Sequence, residues 1–314
     1  MKKRLQNKIA GSRTSLPVAL IYGTVVWLLA GLIQERLWIQ YGCFILSVLL
    51  IMKMNNKNLL IRIFSRSVSV TFIFLFCLAV FWFHSWRGGV AQVCCITSLM
   101  LLFDCYQDNT AIGRTYYIFL IMGIGSLFDI QVFLYVPVFW LMMKVIVYSI
   151  GWRTFLGSLL GLITPYWFIT GWAIYHYKEL FVNRLTQFII PDGFSFSYGF
   201  EFITPLQWSF IIYLFFLFVI SSIHFTQKSY LDKIRVRQLY YGFIMLAIYS
   251  LLLILLIPDN EGLAIRMLII ATSPLFGHFM ALTNTRLSNL TFCILSVITV
   301  VFTCICLWTI LYPS

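Results

Sequence analysis

The stretch "LSNLTFCILSVITVVFTCICLWTIL", residues 287–311, decides the class of fold. It contains no charged side chain from its first residue to its last. A run of about 20 apolar residues is long enough to cross a bilayer as an α-helix. The stretch therefore predicts a transmembrane helix near the carboxyl end of the chain.

The rest of the chain has the same character. Of its 314 residues, 61% are hydrophobic and 10% are charged, and the mean hydropathy is +0.93. Soluble proteins carry about 25% charged residues, so this chain has too few to cover a surface in water. We predict an all-α polytopic transmembrane helix bundle that forms one integral membrane domain over residues 1–314.

Apolar segments separated by short polar loops predict about eleven spans. Merging the fifth and sixth into one would place the basic segment "QKSYLDKIRVRQ" outside, so two spans are favoured. The predicted spans are residues 16–33, 37–52, 67–83, 90–103, 115–128, 132–147, 155–175, 208–225, 242–258, 263–282 and 287–311.

The net charge of +12 predicts orientation rather than nucleic-acid binding. With the N-terminus inside, sixteen of the 22 Lys and Arg residues fall on the inner side and four on the outer side, with Lys144 and Arg266 within spans. Lys and Arg accumulate in cytoplasmic loops. We therefore predict that the N-terminus lies inside and that residues 1–15 form a basic cytoplasmic tail.

The one sizeable loop, residues 176–207, is predicted on the outer side. Its first half has the pattern of a short interfacial helix. In its second half aromatic residues occupy every second position, which predicts an extended strip with one aromatic face. That face is either a belt on the lipid headgroups or a platform for a substrate. The aromatic residues of the strip are Phe194, Phe196, Tyr198, Phe200 and Phe202.

Three carboxylates near that side are candidate acids or bases. Asp192 and Glu201 bracket the aromatic strip, and Asp129 lies in the predicted outer turn between the fifth and sixth spans. A carboxylate can deprotonate an acceptor hydroxyl. Each has a plainer interpretation as a polar residue of a loop.

A charged or ionisable residue is costly within a bilayer, so each one there is a candidate functional residue. Arg266 would hold either a lipid phosphate or a neighbouring carboxylate. Asp104 and Asp108 stand four residues apart, which would place them on one helical face, with a role in metal or phosphate binding or in ion pairs with Arg114 or Arg62. His278 is a candidate proton relay or a hydrogen-bonded packing residue.

No metal site or cofactor is predicted. The eight cysteines lie in or beside apolar segments, and the four histidines fall in separate segments without a paired spacing. Gly157 and Gly161 form a GxxxG pair that favours close helix packing, within the chain or between copies.

The blocks "FDCYQD", "GIGSLFDIQVFLYVPVFW", "GWRTFLGSLLGLITPYWF", "SYLDKIRVR" and "SPLFGHFMALTNTR" together resemble an uncharacterised family of multi-pass bacterial inner-membrane proteins. The resemblance implies a location and a topology, without an activity. A weaker similarity is to C-type membrane glycosyltransferases that use polyprenyl-phosphate sugars. Those enzymes carry an acidic motif in a long first outer loop, where this chain has "QER" with Glu35 alone.

These features lead to three hypotheses of function. The first is an enzyme acting on a lipid-linked saccharide, with membrane lipids and a polyprenyl-phosphate lipid as candidate partners. The second is a transporter or flippase that uses Asp104, Asp129, Arg266 and His278 as a charge relay. The third is a non-catalytic scaffold of an envelope complex.

Overall fold

The computed structural model describes residues 5–176, 204–257 and 261–311. These residues form twelve α-helices and two short 3-10 turns, and contain no β-strand. The α-helices are α1 (Leu5–Ala10), α2 (Ser15–Leu29), α3 (Trp38–Asn58), α4 (Ser67–Leu78), α5 (Trp86–Asp104), α6 (Ile112–Phe128), α7 (Val132–Val145), α8 (Trp152–His176), α9 (Pro205–Lys228), α10 (Ile234–Leu256), α11 (Glu261–Leu282) and α12 (Arg286–Leu311).

The all-α class predicted from the sequence is confirmed. Each of the eleven apolar segments lies on a helix of its own, α2 to α12. Seven of these helices, α3, α5 and α8 to α12, are long and apolar enough to cross a membrane, whereas α2, α4, α6 and α7 have only 12 to 17 residues. The seven long helices indicate a membrane protein.

Helix α11 lies at the centre of the bundle. Its residues 263–281 are all buried, and it packs against α4, α9 and α10, with further contacts to α1 and α5. Gly277 permits α11 and α4 to approach each other closely, because a Cβ there would lie 2.9 Å from the backbone nitrogen of Val68 in α4. The outermost helix α12 instead has only 28% of its span buried, and side chains such as Leu290, Val297 and Trp308 are exposed. An apolar outer surface of this kind suits contact with lipid.

The predicted basic tail contains a helix that belongs to the bundle. In α1 the Nε2 of Gln6 donates to the carbonyl of Met280 at 2.8 Å and to the hydroxyl of Thr283 at 2.6 Å. The Nδ2 of Asn7 donates to the carbonyl of Thr283 at 2.9 Å. These bonds satisfy carbonyl groups near the end of α11 that the helix itself leaves unpaired. Residues 5–10 are therefore fixed against α11, which the charge pattern alone did not indicate.

The GxxxG pair packs within the chain. Gly157 faces Ile112 at the start of α6, and Gly161 faces the backbone of Tyr116 and Leu120 in the same helix. Close approach of two helix backbones is what small residues at this spacing allow. The contact explains why α6 and α8 are tightly paired, and it needs no second copy of the chain.

Candidate functional site

A groove of about 560 Å³ lies between α2, α4, α9, α11 and α12. This volume falls within the roughly 300–1,000 Å³ typical of small-molecule sites. Its walls are mostly apolar, so a polar, water-soluble ligand would find few hydrogen-bond partners there. Side chains that represent the five walls are Val18, Phe74, Leu217, Phe276 and Val297.

Polar groups of the groove are concentrated at two levels. At one end, Ser12, Thr14 and Ser15 surround the start of α2. Deeper in the groove, the hydroxyls of Tyr213 and Thr299 are 2.8 Å apart and bonded to each other. Along α12 the lining runs from residue 292 to residue 300, which corresponds to about 12 Å at the rise of an α-helix. The groove is thus elongated, with hydroxyl groups at the start of α2 and again at the level of Tyr213 and Thr299.

A second cluster of interest joins three distant segments. The side chain of Asp232, fully buried in the turn before α10, lies 2.8 Å from Nε of Arg62 and 3.0 Å from Nε2 of His278 in α11. His278 is also fully buried. A buried carboxylate is stable only when it is paired, and here two partners share one. We name Arg62, Asp232 and His278 the inner cluster.

Aromatic rings and a second histidine enclose the inner cluster. The rings of Tyr240 and Phe225 lie 5.0 and 5.3 Å from the His278 ring, and the His224 ring lies 5.8 Å from it. Among the described groups, the Nδ1 atoms of His224 and His278 are buried without a hydrogen-bond partner. The sequence pointed to His278 but not to Asp232, whose only signal is that it is the one carboxylate in the basic segment 228–237.

Arg266 lies on α11, about 18 Å from His278 by helix rise. The residue is 4% exposed. Its guanidinium donates to Oε1 of Gln92 at 3.0 Å and to the carbonyl of Trp82, and it lies over the ring of Phe76. No carboxylate among the described side chains is within ion-pair distance, although that of Glu261 is not described. The role of Arg266 in phosphate binding stays a prediction.

A carboxylate–imidazole pair lies close to Arg266. Glu35 contacts Nε2 of His84, and the carbonyl of His84 accepts a bond of 3.1 Å from Gln40. Gln40 and Arg266 line the same narrow crevice, which has no room for a water molecule. Glu35 and His84 are each about half exposed, so the pair is accessible from outside the protein.

The prediction that Asp104 and Asp108 share one helical face is wrong. Helix α5 ends at Asp104, and Gln107 adopts a positive φ of 58° that ends any helical path. Asp104 binds Lys57 at 2.5 Å, whereas Asp108 lies 3.8 Å from Arg114. The Asp108–Arg114 contact fits the ion-pair interpretation, whereas Asp104 pairs with Lys57 and not with the predicted Arg114 or Arg62.

Asp108 also orders its own loop. Its Oδ1 accepts bonds from the hydroxyl of Thr110 at 2.7 Å and from the Thr110 N–H at 3.0 Å. These two bonds, with help from the charge of Arg114, hold the pKa of Asp108 below its usual value.

Asp129 is the half-buried residue that ends α6. Its Oδ1 accepts a bond of 3.0 Å from the N–H of Gln131 in the turn before α7. Burial raises the pKa of Asp129, while the Gln131 N–H and the charges of Arg266 and Arg87 act in the opposite direction. Of the two predicted residues, Arg266 thus acts on Asp129 by favouring its charged carboxylate.

The other predicted residues of the outer site lie outside the described residues. These are Asp192, Glu201 and the aromatic strip Phe194, Phe196, Tyr198, Phe200 and Phe202. Their assignment as catalytic or substrate-binding stays a prediction. Within the described ranges, no three His, Cys, Asp or Glu side chains are grouped so that they could hold a metal ion.

Over the described residues, the helices and the groove define the class: an all-α protein with seven apolar helices of membrane-spanning length, one of which, α11, is buried at the centre. Comparisons of the chain with protein-family models, with curated proteins and with solved structures find no match.

Proposed function

We propose that this protein is an integral membrane protein that binds the hydrocarbon chain of a lipid in the groove between α2, α4, α9, α11 and α12. The observation that carries the proposal is the groove itself, a cavity of about 560 Å³ with mainly apolar walls. Leaving such walls in water costs about 25 cal/mol per Å² of apolar surface, and a lipid chain removes that cost.

The proposal places the chain in a bacterial inner membrane with eleven spans and the N-terminus inside. The excess of Lys and Arg on one side supports this orientation. Among α2 to α12 the shortest helix is α4, which is compatible with it, because α4 is almost entirely buried by neighbouring helices and need not face lipid along a full bilayer thickness.

An enzyme acting on a lipid-linked saccharide is the second candidate. The half-exposed Glu35–His84 pair favours it, because a carboxylate with an imidazole can transfer a proton. The groove and Arg266, however, lie towards opposite ends of α11. A lipid whose headgroup lay at Ser12 would not bring that headgroup to Arg266. Experiments on the groove and on the Arg266 region therefore test the two candidate functions separately.

Photocrosslinking tests the groove. The purified protein is reconstituted with an uncharged long-chain alcohol that carries a diazirine on its chain, and the crosslinked peptides are identified by mass spectrometry. We expect crosslinks to concentrate on the segment of α12 that lines the groove, residues 292–300. The substitution Cys293→Phe, which places a large ring in the groove, should reduce them several-fold.

The matched control is Cys304→Phe on the same helix. Cys304 is exposed and does not line the groove. This variant should retain the wild-type crosslinks, and thermal unfolding should show that both variants fold. Crosslinks spread evenly over the outer helices, and unchanged by Cys293→Phe, would contradict the proposal.

A further inference from the structure

We infer that the groove selects an anionic phospholipid, with the phosphate at the end formed by Ser12, Thr14 and Ser15. The inference rests on the proposed function and goes beyond it, since a hydrocarbon chain alone would give no preference among headgroups. Two independent features support it: the placement of hydroxyl groups and the distribution of charge.

Three hydroxyl groups are grouped where the groove meets the start of α2. Ser12 and Thr14 are bonded to each other at 2.8 Å, and Ser15 donates to the carbonyl of Ser12 at 2.9 Å. A hydroxyl can donate one bond and accept others, so these groups can reorient toward a phosphate oxygen. The apolar side chains Val18 and Ala19 follow them along α2. This end of the groove thus has the order of a lipid, with a polar group followed by an apolar chain.

Basic residues adjoin the lining of the same end in sequence. Lys8 and Arg13 are exposed and stand next to the lining residues Ile9, Ser12 and Thr14, and Arg286 is exposed at the start of α12. No acidic residue occurs in residues 1–34 or 262–314, which include α1, α2 and α12. The local charge is therefore uncompensated by these segments. An anionic headgroup is the complementary partner, because basic residues beside a membrane attract anionic lipids.

Helix α1 is held so that its charge stays at this end. The bonds of Gln6 and Asn7 to Met280 and Thr283 fix it to α11, and the Gln6 N–H donates to Oδ1 of Asn289 in α12 at 3.2 Å. Ile9 of the same helix lines the groove. Lys8 is thereby placed beside the entrance rather than on a free tail.

The length of the groove matches one leaflet. Its lining extends about 12 Å along α12, and half of a hydrocarbon core of about 30 Å is about 15 Å. With the basic end on the inner side, the chain of an inner-leaflet phospholipid would reach from Ser12 to the Tyr213–Thr299 pair near the middle of the bilayer. An outer-leaflet lipid would have its headgroup at the apolar end.

Competition between two phospholipids tests the inference. The protein is reconstituted in vesicles with equal amounts of phosphatidylglycerol and phosphatidylcholine of the same chains, and retained lipids are counted by native mass spectrometry. A basic residue near an anionic surface contributes about fivefold in binding. We expect the wild type to retain phosphatidylglycerol at least about fivefold over phosphatidylcholine, and the double variant Lys8→Gln/Arg13→Gln to fall to within about twofold.

Arg153→Gln is the matched control, since Arg153 is an exposed basic residue at the start of α8 that does not line the groove. It should leave the preference unchanged, and Cys293→Phe should abolish retention of both lipids. Equal retention of both lipids by the wild type would overturn the inference and leave chain binding intact. A preference that survives Cys293→Phe would place the anionic lipid on the basic surface outside the groove and overturn it too. Retention of neither lipid would contradict the proposed function itself.

Discussion

At the scale of single residues, the most constrained group is Asp232. Its carboxylate is fully buried and contacts both Arg62 and His278, which come from the turn before α4 and from α11. Removing one member of a buried charged pair leaves the other without compensation and typically costs about 3–5 kcal/mol. Arg62 is about one third exposed, which lowers that figure because water can solvate it.

We predict that Asp232→Asn lowers the free energy of unfolding by about 2–4 kcal/mol. The amide can still bond His278, but it no longer balances Arg62. Reversible unfolding in mixed detergent micelles measures the change. Asp104→Asn is the control, because its partner Lys57 is about half exposed and such pairs contribute about 0–1 kcal/mol. Equal small losses in the two variants would show that the inner cluster does not hold the fold.

The sequence could identify His278 but not its partner. A histidine within an apolar span is conspicuous, whereas Asp232 lies in a basic loop 46 residues away and carries no periodic signal. The same holds for Glu35 and His84, which only the fold brings together. For Asp104 and Asp108 the spacing was misleading, because spacing predicts a shared face only while the helix continues.

At the scale of elements, the closest pair is α6 and α8. Gly161 of α8 faces the carbonyl of Tyr116 and the backbone nitrogen of Leu120 in α6. A Cβ at this position would lie 3.0 Å from that nitrogen, so a larger side chain requires the two helix backbones to separate. Backbone atoms cannot move aside as a flexible side chain can.

We predict that Gly161→Leu destabilises the protein by about 1–3 kcal/mol or more, the usual range for overpacking. The control Gly171→Leu is on the same helix, where a Cβ would meet nothing within 4 Å. There the better helix propensity of Leu should make the change neutral or stabilising by up to about 1 kcal/mol. Thermal unfolding in detergent measures both. A loss of similar size at the two positions would exclude backbone contact as the cause.

The existence of these elements could be predicted, but their packing could not. Apolar runs placed α2 to α12, since each run must form its hydrogen bonds internally in lipid. The helix α1 was missed because it has only six residues and a basic composition. The central position of α11 was also not predictable, because its sequence is no more apolar than that of α12, which lies at the surface.

At the scale of the whole molecule, the buried helices decide how many segments cross the bilayer. Helix α4 has 12 residues, or about 18 Å, against a hydrocarbon core of about 30 Å. A helix surrounded by other helices can be shorter than the core, since its ends meet protein rather than lipid. A count based on length alone gives seven spans, and a count based on apolar segments gives eleven.

The two counts place two turns on opposite sides of the membrane, which gives a decisive experiment. With the N-terminus inside, eleven spans put the turn at Ile63 inside and the turn at Ile130 outside, whereas seven spans put Ile63 outside and Ile130 inside. Asn109 is inside in both cases. We predict that alkaline phosphatase fused after Ile130 is active and that the same enzyme fused after Ile63 or Asn109 is inactive, with green fluorescent protein giving the complementary pattern. Because the enzyme folds only outside the cytoplasm, activity after Ile63 together with none after Ile130 would establish the seven-span arrangement and place α2, α4, α6 and α7 as helices that do not cross.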